Sequence, residues 1–251
     1  MNCFGMTDVG MRRSENQDSY AFFSLPRKKM PPASVLLLCD GMGGQGNGEL
    51  ASRMAVSAFA ETLMQLPNSS PKSALQEALD NANRAVYDKS AESPEYRGMG
   101  TTLVSAVADG ERVTVLHVGD SRAYLYRKKD RKILALTHDH SLVQELMDDG
   151  KITEEEARDF SMKNVITKAV GVDPILSGTL NVYPWEEGDR LLLCSDGLWN
   201  YVEGDKLLPF LDGQIPLSSV PDALIKTANA MGGEDNVTVI LMENTKENCI
   251  C

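Results

Sequence analysis

The stretch Val35-Leu36-Leu37-Leu38-Cys39-Asp40-Gly41-Met42-Gly43-Gly44-Gln45-Gly46 joins a short apolar run to an acid and a glycine-rich turn. An apolar run this short that stops at glycine is typical of a fully buried strand rather than a helix. A carboxylate at the end of a buried strand is costly unless a positive charge neutralises it, and a divalent cation can do so. The stretch Leu191-Leu192-Leu193-Cys194-Ser195-Asp196-Gly197 has nearly the same pattern. Two such strands predict that Asp40 and Asp196 are delivered to a common point.

The composition is that of an ordinary globular protein with an acidic balance. The 251 residues are 42% hydrophobic and 24% charged, and 25 Lys and Arg against 36 Asp and Glu give a formal net charge of -11. Nucleic acids and anionic membranes attract basic surfaces, so we expect neither as the main partner. The first residues lack the basic region and long apolar stretch of a secretory signal, and the five cysteines are too scattered for a disulfide framework. The sequence therefore predicts a cytoplasmic protein, and we expect a monomer.

The rest of the chain has strands in bulk with pairs of helices between them. Apolar residues at helical spacing predict a helix over residues 48–65, and Ser70 as N-cap with Pro71 at the first helical position predicts the start of another. Further helices are predicted over residues 141–149 and over residues 221–231. Thr153 and Glu156 form a capping box that predicts the start of another short helix. Strands are predicted at residues 3–10, 17–25, 101–108, 112–118, 123–127, 132–137, 179–183, 190–194 and 237–242.

Short turns separate the strands between residues 101 and 137, and a Glu-Glu-Gly-Asp turn separates residues 179–183 from residues 190–194. Strands this close in sequence predict antiparallel hairpins. Because no low-complexity linker interrupts the chain, we expect one domain over residues 1–242 and a polar tail over residues 243–251. The predicted fold class is α+β, with two antiparallel sheets flanked by helices.

Three more acids lie near the ends of predicted strands. Asp18 begins a strand, Asp120 lies in a Gly-Asp-Ser hairpin corner, and Asp235 precedes the last strand. Each of them alone is explained as a solvated loop acid or as common turn chemistry. Together with Asp40 and Asp196, however, they place five aspartates at the ends of five separate strands. Turns alone hardly explain that number, so the five acids are candidate metal ligands.

The chemistry of these acids indicates the kind of metal. Carboxylate, carbonyl and water oxygens suit magnesium or manganese, whereas a zinc site would use His or Cys. His117 lies within a predicted strand and is expected to pack there, and His138-Asp139-His140 is expected to cap or orient the helix from Ser141. Two oxygen-ligated cations about 3.5–4 Å apart can activate a water and clamp a phosphoryl group for in-line displacement. A phosphate ester also requires a fork-shaped cation, for which Arg13 is the candidate and Arg12 the alternative.

Six short motifs, taken in order, resemble those of metal-dependent protein phosphatases of type 2C. They are Arg13-Ser14-Glu15-Asn16-Gln17-Asp18, Asp40-Gly41-Met42-Gly43-Gly44, Gly100-Thr101-Thr102, Gly119-Asp120-Ser121-Arg122, Ser195-Asp196-Gly197 and Glu234-Asp235-Asn236. The stretch from Thr137-His138-Asp139-His140-Ser141-Leu142-Val143 to Asn164-Val165-Ile166-Thr167 resembles the bacterial branch. The resemblance covers essentially the whole chain, and six ordered motifs leave little room for chance agreement.

The resemblance implies a four-layer α-β-β-α sandwich that hydrolyses phosphoserine and phosphothreonine in proteins and opposes a serine/threonine kinase. It implies attack by a water that bridges two Mn²⁺ or Mg²⁺ ions. The positions that match the metal pair are Asp40, Asp196, Asp235, the backbone carbonyl of Gly41 and, directly or through water, Asp18. By the same matching, Asp120 with Asp196 would form a third, weaker metal site, and Arg13 would bind the phosphate. Residues 141–168 would include a mobile flap beside the cleft.

Several positions depart from the family pattern. Eukaryotic members carry a His at the position of Met42, and that His is taken as the general acid. Bacterial relatives have Met there, as this chain does, so we assign no general acid. Gln17 replaces a frequent Glu, and Gln45 replaces a frequent His. Asn200 stands where an Asp often supports the third metal, so that site has one carboxylate fewer.

Two alternatives compete with a phosphatase. Residues 41–46 satisfy the G-x-G-x-x-G pattern of dinucleotide-binding domains, but Asp40 would point a negative charge at the pyrophosphate, and no parallel strand with an acid follows. A catalytically weak phosphoprotein-binding module of the same fold would not need to keep all five aspartates. Both observations favour the enzyme.

Overall fold

The computed structural model describes residues 2–27, 31–44, 46–67, 69–158, 160, 162 and 164–245. Gln45 and residues 246–251 of the predicted tail lie outside the described residues. The strands are β1 Cys3–Asp8, β2 Asp18–Leu25, β3 Ala33–Met42, β4 Gly100–Thr101, β5 Leu103–Ala108, β6 Arg112–Val118, β7 Arg122–Arg127, β8 Lys132–Ala135, β9 Thr179–Pro184, β10 Arg190–Cys194 and β11 Val237–Glu243. The α-helices are α1 Asn47–Gln65, α2 Pro71–Glu92, α3 Leu142–Asp148, α4 Glu154–Arg158, α5 Asp196–Trp199, α6 Leu208–Leu211 and α7 Val220–Ala230.

The strands form two antiparallel sheets. One sheet has the strand order β1-β11-β10-β7-β8, and the other has the order β2-β3-β5-β6-β9, with β4 paired to the end of β3. The two stretches that opened the sequence analysis become β3 and β10, which are inner strands of different sheets. No helix within the described residues is both long and apolar enough to cross a membrane.

The alternation of side chains along the central strands produces four layers. On β3, Leu37 packs with α1 and α2, whereas Leu36 packs against the other sheet. On β10, Leu193 lies between the sheets, whereas Cys194 packs with α5, α6 and α7. Successive residues of a strand point to opposite faces, so a strand covered on both faces is continuously apolar. The α-β-β-α sandwich predicted from the sequence is therefore confirmed.

Two of the predicted hairpins are wrong. β5 pairs with β6 and β7 pairs with β8 as expected, but β6 and β7 lie in different sheets, and so do β9 and β10. Asp120 therefore lies where the chain crosses between the sheets, not in a hairpin corner. The sequence does not reveal the crossing from β6 to β7 because both are inner strands that are buried on both faces and joined by a short turn, as a hairpin would be.

The local signals for helix starts are confirmed. The Ser70 hydroxyl accepts a hydrogen bond from the backbone N–H of Ser73 at 3.2 Å, with Pro71 at the first helical position. Thr153 and Glu156 form the reciprocal bonds of a capping box at 2.8 and 3.2 Å. The single turn α5, which begins at Asp196, was not predicted because a four-residue helix has no periodicity to read.

Candidate active site

The five aspartates gather at one end of the two sheets. Asp18 opens β2 directly opposite Asp40 on β3, while Asp196 follows β10 and Asp235 lies just before β11. Asp120 comes from the crossing between β6 and β7. The charges of the other four acids all act on Asp40, which shows that strands from both sheets deliver carboxylates to one region. The charge of Asp196 is among those that act on Asp40, so the two acids lie near each other, and their shared role as metal ligands remains a prediction.

The carboxylate of Asp18 is buried and held by side-chain hydrogen bonds. One carboxylate oxygen, Oδ2, accepts hydrogen bonds from the hydroxyls of Thr238 at 2.6 Å and Ser195 at 2.8 Å. The other oxygen, Oδ1, is buried and has no partner among the described residues. Burial raises the pKa of Asp18 to about 6, and the charge of Asp235 adds to that rise. Two hydroxyl donors on one oxygen and none on the other leave Oδ1 available to a cation.

Asp40 and Asp196 have the most strongly raised pKa values of the five acids. Burial, followed by the charges of the neighbouring acids, raises the pKa of both carboxyl groups well above the usual range. Oδ1 of Asp196 is also buried without a partner among the described residues. A cluster of buried and partly buried carboxylates with unsatisfied oxygens is unfavourable without a compensating positive charge. The chemistry of this cluster therefore fits a divalent cation.

Gly41 and its neighbours hold the backbone at the end of β3. A Cβ on Gly41 would lie 2.0 Å from the carbonyl oxygen of Gly48, so no side chain fits there. The backbone N–H of Gly41 donates to the carbonyl of Gln17 at 3.0 Å. These contacts fix the strand end and the start of α1 against each other. Coordination by the Gly41 carbonyl remains a prediction.

Asp120 is buried beside a groove of about 1200 Å³ between the flap residues and α5. Burial, together with the charge of Asp139, raises the pKa of Asp120 to about 7. Its backbone carbonyl accepts a hydrogen bond from the indole Nε1 of Trp199 at 2.9 Å. Asn200 is exposed and lines the same groove, where the family pattern has an Asp.

Arg13 lies at the acid cluster. Its Nη2 donates to Oδ2 of Asp235 at 2.6 Å, and about half of its side chain is exposed. The hydrogen bond with Asp235, together with the charges of Asp196 and Asp40, raises the pKa of the guanidinium further. Arg13, rather than Arg12, is therefore the arginine that the structure brings to the carboxylates.

The donor set can be compared with what a metal requires. Within the described residues, no three His, Cys, Asp or Glu side chains form a group that could hold an ion by themselves. Mg²⁺ and cations like it do not need such a cage, because they keep several waters and use one or two carboxylates from the protein. The unpartnered oxygens of Asp18 and Asp196 and the mutual stress on the acids fit oxygen ligation of this kind.

Several residues that shape the site were not predicted. The Ser195 and Thr238 hydroxyls hold Asp18, and the Asn236 side chain accepts from the Gln17 N–H at 2.8 Å while donating to the backbone of Glu15. Ser195 and Asn236 belong to the motifs Ser195-Asp196-Gly197 and Glu234-Asp235-Asn236, which was an available signal. Thr238 lies inside a strand, and nothing local in the sequence marks it.

The histidines have the packing roles expected of them, with one revision. His117 is buried, as predicted, and its ring stacks on that of His140 with 4.7 Å between ring centroids. His138 contacts the last turn of α3 through the Asp148 carboxylate at 2.7 Å, as expected of a segment that orients this helix. Ser141 is itself the N-cap, so the alternative that the segment caps α3 is wrong. Instead, His140 supports the crossing, since its backbone N–H donates to the carbonyl of Gly119 at 3.0 Å.

The predicted flap has a closed base. The backbone N–H of Leu142 donates to the carbonyl of Val165 at 2.8 Å, and Ser141 forms a bridge with Ile166. The described residues between these points include α3 and α4. Mobility of the flap remains a prediction.

Comparisons with known proteins agree with one another. Residues 11–227 match the family model described as Protein phosphatase 2C. The chain is 38% identical over 241 residues to the serine/threonine phosphatase stp of Listeria monocytogenes serotype 4b (strain F2365), which covers 94% of this chain and 93% of that protein. It is similar to the structure of serine/threonine phosphatase Stp1 from Staphylococcus aureus, with a TM-score of 0.89, 33% identity and coverage of 98% and 96%. It is also similar to the catalytic domain of the serine threonine protein phosphatase PstP in complex with 2 manganese ions, with a TM-score of 0.82, 35% identity and coverage of 96% of each chain.

Proposed function

This chain belongs to the protein phosphatase 2C family and is a metal-dependent serine/threonine phosphatase, and on that premise we propose that its five clustered aspartates form the catalytic metal centre. Asp40, Asp196 and Asp235 hold a pair of divalent cations together with the carbonyl of Gly41. Asp18 supports the pair directly or through water. The substrates are phosphorylated proteins.

One observation carries this assignment. Oδ1 of Asp18 and Oδ1 of Asp196 are both buried and lack a partner among the described residues, although they lie in a cluster of carboxylates. Each unsatisfied buried carboxylate oxygen costs free energy of the order of 1–3 kcal/mol. A bound cation would remove this cost at both oxygens, which explains why two such oxygens occur in one cluster.

The chain's own residues then divide the work of hydrolysis. When bound, a pair of divalent cations supplies an activated water and neutralises charge on the phosphoryl group. Arg13 has five N–H donors and, among the described residues, gives one of them to Asp235. The rest of its planar fork can bind two phosphate oxygens at the edge of the acid cluster. The Ser195 and Thr238 hydroxyls favour the ionised form of Asp18, because their hydrogen bonds lower its pKa against the rise that burial causes.

The structure offers no histidine to protonate the leaving seryl oxygen from the position of Met42. His117 and His140 stack together beside the crossing, and each has its ring bonded to protein groups. We therefore assign no general acid, and the leaving oxygen takes its proton from water.

Finer assignments are also part of the proposal. Mn²⁺ or Mg²⁺ serves as the cation because the ligands are oxygens. Asp120 with Asp196 forms a third, weaker site, which Asn200 leaves with one carboxylate fewer. The chain acts as a monomer of one domain, residues 1–242, in a reducing cytoplasm that suits the buried free thiols of Cys3, Cys39 and Cys194, and it opposes a serine/threonine kinase.

The test is hydrolysis of a small aryl phosphate and of a phosphothreonine peptide with Mn²⁺, with Mg²⁺ and with a chelator. We expect turnover of both substrates with a cation and none with the chelator. Asp40→Asn should abolish turnover, whereas Asp222→Asn, at an exposed site on α7, should not. Turnover that persists in Asp40→Asn would contradict the assigned metal centre, and folded wild-type protein without turnover would favour the phosphoprotein-binding module.

A further inference from the structure

Arg122, the first residue of β7, makes an unusual set of contacts beside the proposed active site. Its Nε and Nη2 donate to the Asp139 carboxylate at 3.0 and 2.8 Å, which is a two-pronged interaction. Its Nη1 donates to Glu203 on the solvent side at 2.8 Å. The Arg122 and Asp139 side chains are only 20% and 8% exposed, so this pair is largely shielded from water.

The flat face of the same guanidinium covers a tryptophan. The central carbon of the guanidinium lies 3.8 Å from the centroid of the Trp199 ring. The indole Nε1 of Trp199 in turn donates to the backbone carbonyl of Asp120 at 2.9 Å. A chain of contacts therefore runs from Asp139 through Arg122 and Trp199 to the corner that carries Asp120.

The other end of this chain of contacts is the base of the flap. Asp139 is followed by His140, whose backbone carbonyl accepts from Thr167 at 2.8 Å and whose N–H donates to Gly119 at 3.0 Å. Ser141 then begins α3 as its N-cap. Movement of Asp139 would thus be transmitted to both sides of the flap base and to the corner at Gly119.

We propose that Arg122 is a positioning residue that holds the flap base and the Asp120 corner in one fixed relation. This inference rests on the proposed function only in taking Asp120 as part of the active site. The guanidinium is suited to the task because it is planar, and its edge and face bind different partners at the same time. A lysine would keep the positive charge beside Asp139 but could not make the fork and the face contact together.

The competing explanation is that Arg122 merely neutralises the buried charge of Asp139. The two explanations differ in what Lys should do, because a lysine supplies charge without the planar geometry. They also differ for Trp199, which has no role in neutralisation. The experiment therefore compares Arg122→Lys, Arg122→Gln and Trp199→Phe with the matched control Glu203→Gln, which removes the charge of the exposed partner of the same guanidinium.

Two readouts are needed. The first does not depend on activity: in a Trp185→Phe background Trp199 is the single tryptophan, and acrylamide quenching of its fluorescence measures how well the ring is covered. The second is kcat and KM for a phosphothreonine peptide with Mn²⁺. We expect Arg122→Gln and Arg122→Lys to raise the quenching constant about twofold and to lower kcat by about 10- to 100-fold, as loss of supporting residues around a metal site does. In Glu203→Gln, the quenching constant and kcat should both stay within about twofold of the wild-type values.

Three results would overturn the inference. They are wild-type kcat in Arg122→Gln, full recovery of kcat in Arg122→Lys, and wild-type kcat in Trp199→Phe, which removes the bond to Asp120 but keeps an aromatic face. Trp199→Phe also answers the question if Arg122→Gln does not fold. Should the wild-type protein show no turnover at all, the proposed function would fail while the quenching comparison would still test the contact between Arg122 and Trp199.

Discussion

Asp18 and Asp40 lie directly opposite each other on the paired strands β2 and β3. Like charges facing each other across a strand pair are destabilising. Here burial makes the charged forms still less favourable, and the pKa of both groups is raised as a result. The fold therefore holds these acids together at a cost in stability. Binding of a cation would recover that cost, which links the stability of the protein to the occupancy of the site.

The substitutions Asp40→Asn and Asp196→Asn should each raise the free energy of unfolding of the metal-free protein and lower the turnover with metal. Either change removes a partly buried negative charge from the cluster, so we expect the chelator-treated protein to gain about 1–2 kcal/mol in its free energy of unfolding. Turnover should fall by at least about 100-fold, the upper end of what loss of a supporting residue around a metal costs. Denaturant unfolding with a chelator and steady-state kinetics with Mn²⁺ measure the two effects. Asp222→Asn is the control and should alter neither by much, and a destabilised Asp40→Asn would contradict the electrostatic explanation.

The hydroxyl of Thr238 should matter for both folding and metal binding. Its Oγ1 donates to the buried Asp18 carboxylate at 2.6 Å, and a hydrogen bond to a charged group contributes about 1.5–3 kcal/mol. Thr238→Val keeps the shape of the side chain, so we expect the free energy of unfolding to fall by an amount in that range. We also expect the affinity for Mn²⁺ to fall by about 10-fold. Calorimetric titration with Mn²⁺ and chemical denaturation measure these changes. Thr227→Val removes a hydroxyl from α7 instead and should leave Mn²⁺ affinity unchanged; equal affinities in the two variants would show that Thr238 does not support the site.

Arg13 should act on substrate binding. Loss of a charge-assisted interaction worth about 1.5–3 kcal/mol corresponds to a KM about 10- to 150-fold higher in Arg13→Ala. We expect kcat to change much less, because the cations and their ligands remain. Arg12→Ala is the matched control, since it removes the neighbouring guanidinium, and its KM should stay close to the wild-type value. A near-normal KM in Arg13→Ala would remove Arg13 from the phosphate site.

The glycine at the end of β3 gives a prediction about packing. Alanine at Gly41 would place its Cβ 2.0 Å from the Gly48 carbonyl oxygen, and an overlap with backbone cannot be relieved by a rotamer change. We expect Gly41→Ala to lose about 3 kcal/mol or more in denaturant unfolding. Gly44→Ala, three residues further on, meets no atom within 4 Å and should stay close to wild type in its free energy of unfolding. Similar stabilities for the two variants would mean that β3 and α1 are not held together as described.

The sequence predicted the strands that carry Asp40 and Asp196 because each apolar run is uniform and ends in Asp-Gly. It also predicted that distant acids gather, since a buried acid needs a partner. It could not place Asp120 correctly, because the choice of sheet for β7 depends on long-range pairing with β10 rather than on local pattern. The support from Thr238 was hidden for the same reason: its hydroxyl meets Asp18 across 220 residues of chain.

The ring of His140 gives the pH dependence that is easiest to isolate. Its Nδ1 accepts from the Gly119 N–H at 3.2 Å and its Nε2 contacts the Thr179 hydroxyl at 2.9 Å, an arrangement that suits the neutral ring. Burial, followed by the charges of His117, Lys168 and His138, lowers its pKa from 6.5 to about 4.

Because the folded pKa of His140 is depressed, the unfolded chain binds the proton first as the pH falls. The stabilisation is therefore present above pH 6.5 and is lost progressively as the pH falls towards about 4. The shift alone would be worth about 3 kcal/mol, and partial exposure of the ring reduces this to about 1–2 kcal/mol. In His140→Asn, whose amide oxygen can still accept from Gly119, that part of the acid-induced loss should disappear. Unfolding free energies of both proteins at pH 7.5 and pH 4.5, with a chelator present, measure the difference, and equal losses in the two proteins would mean that His140 is already protonated in the fold.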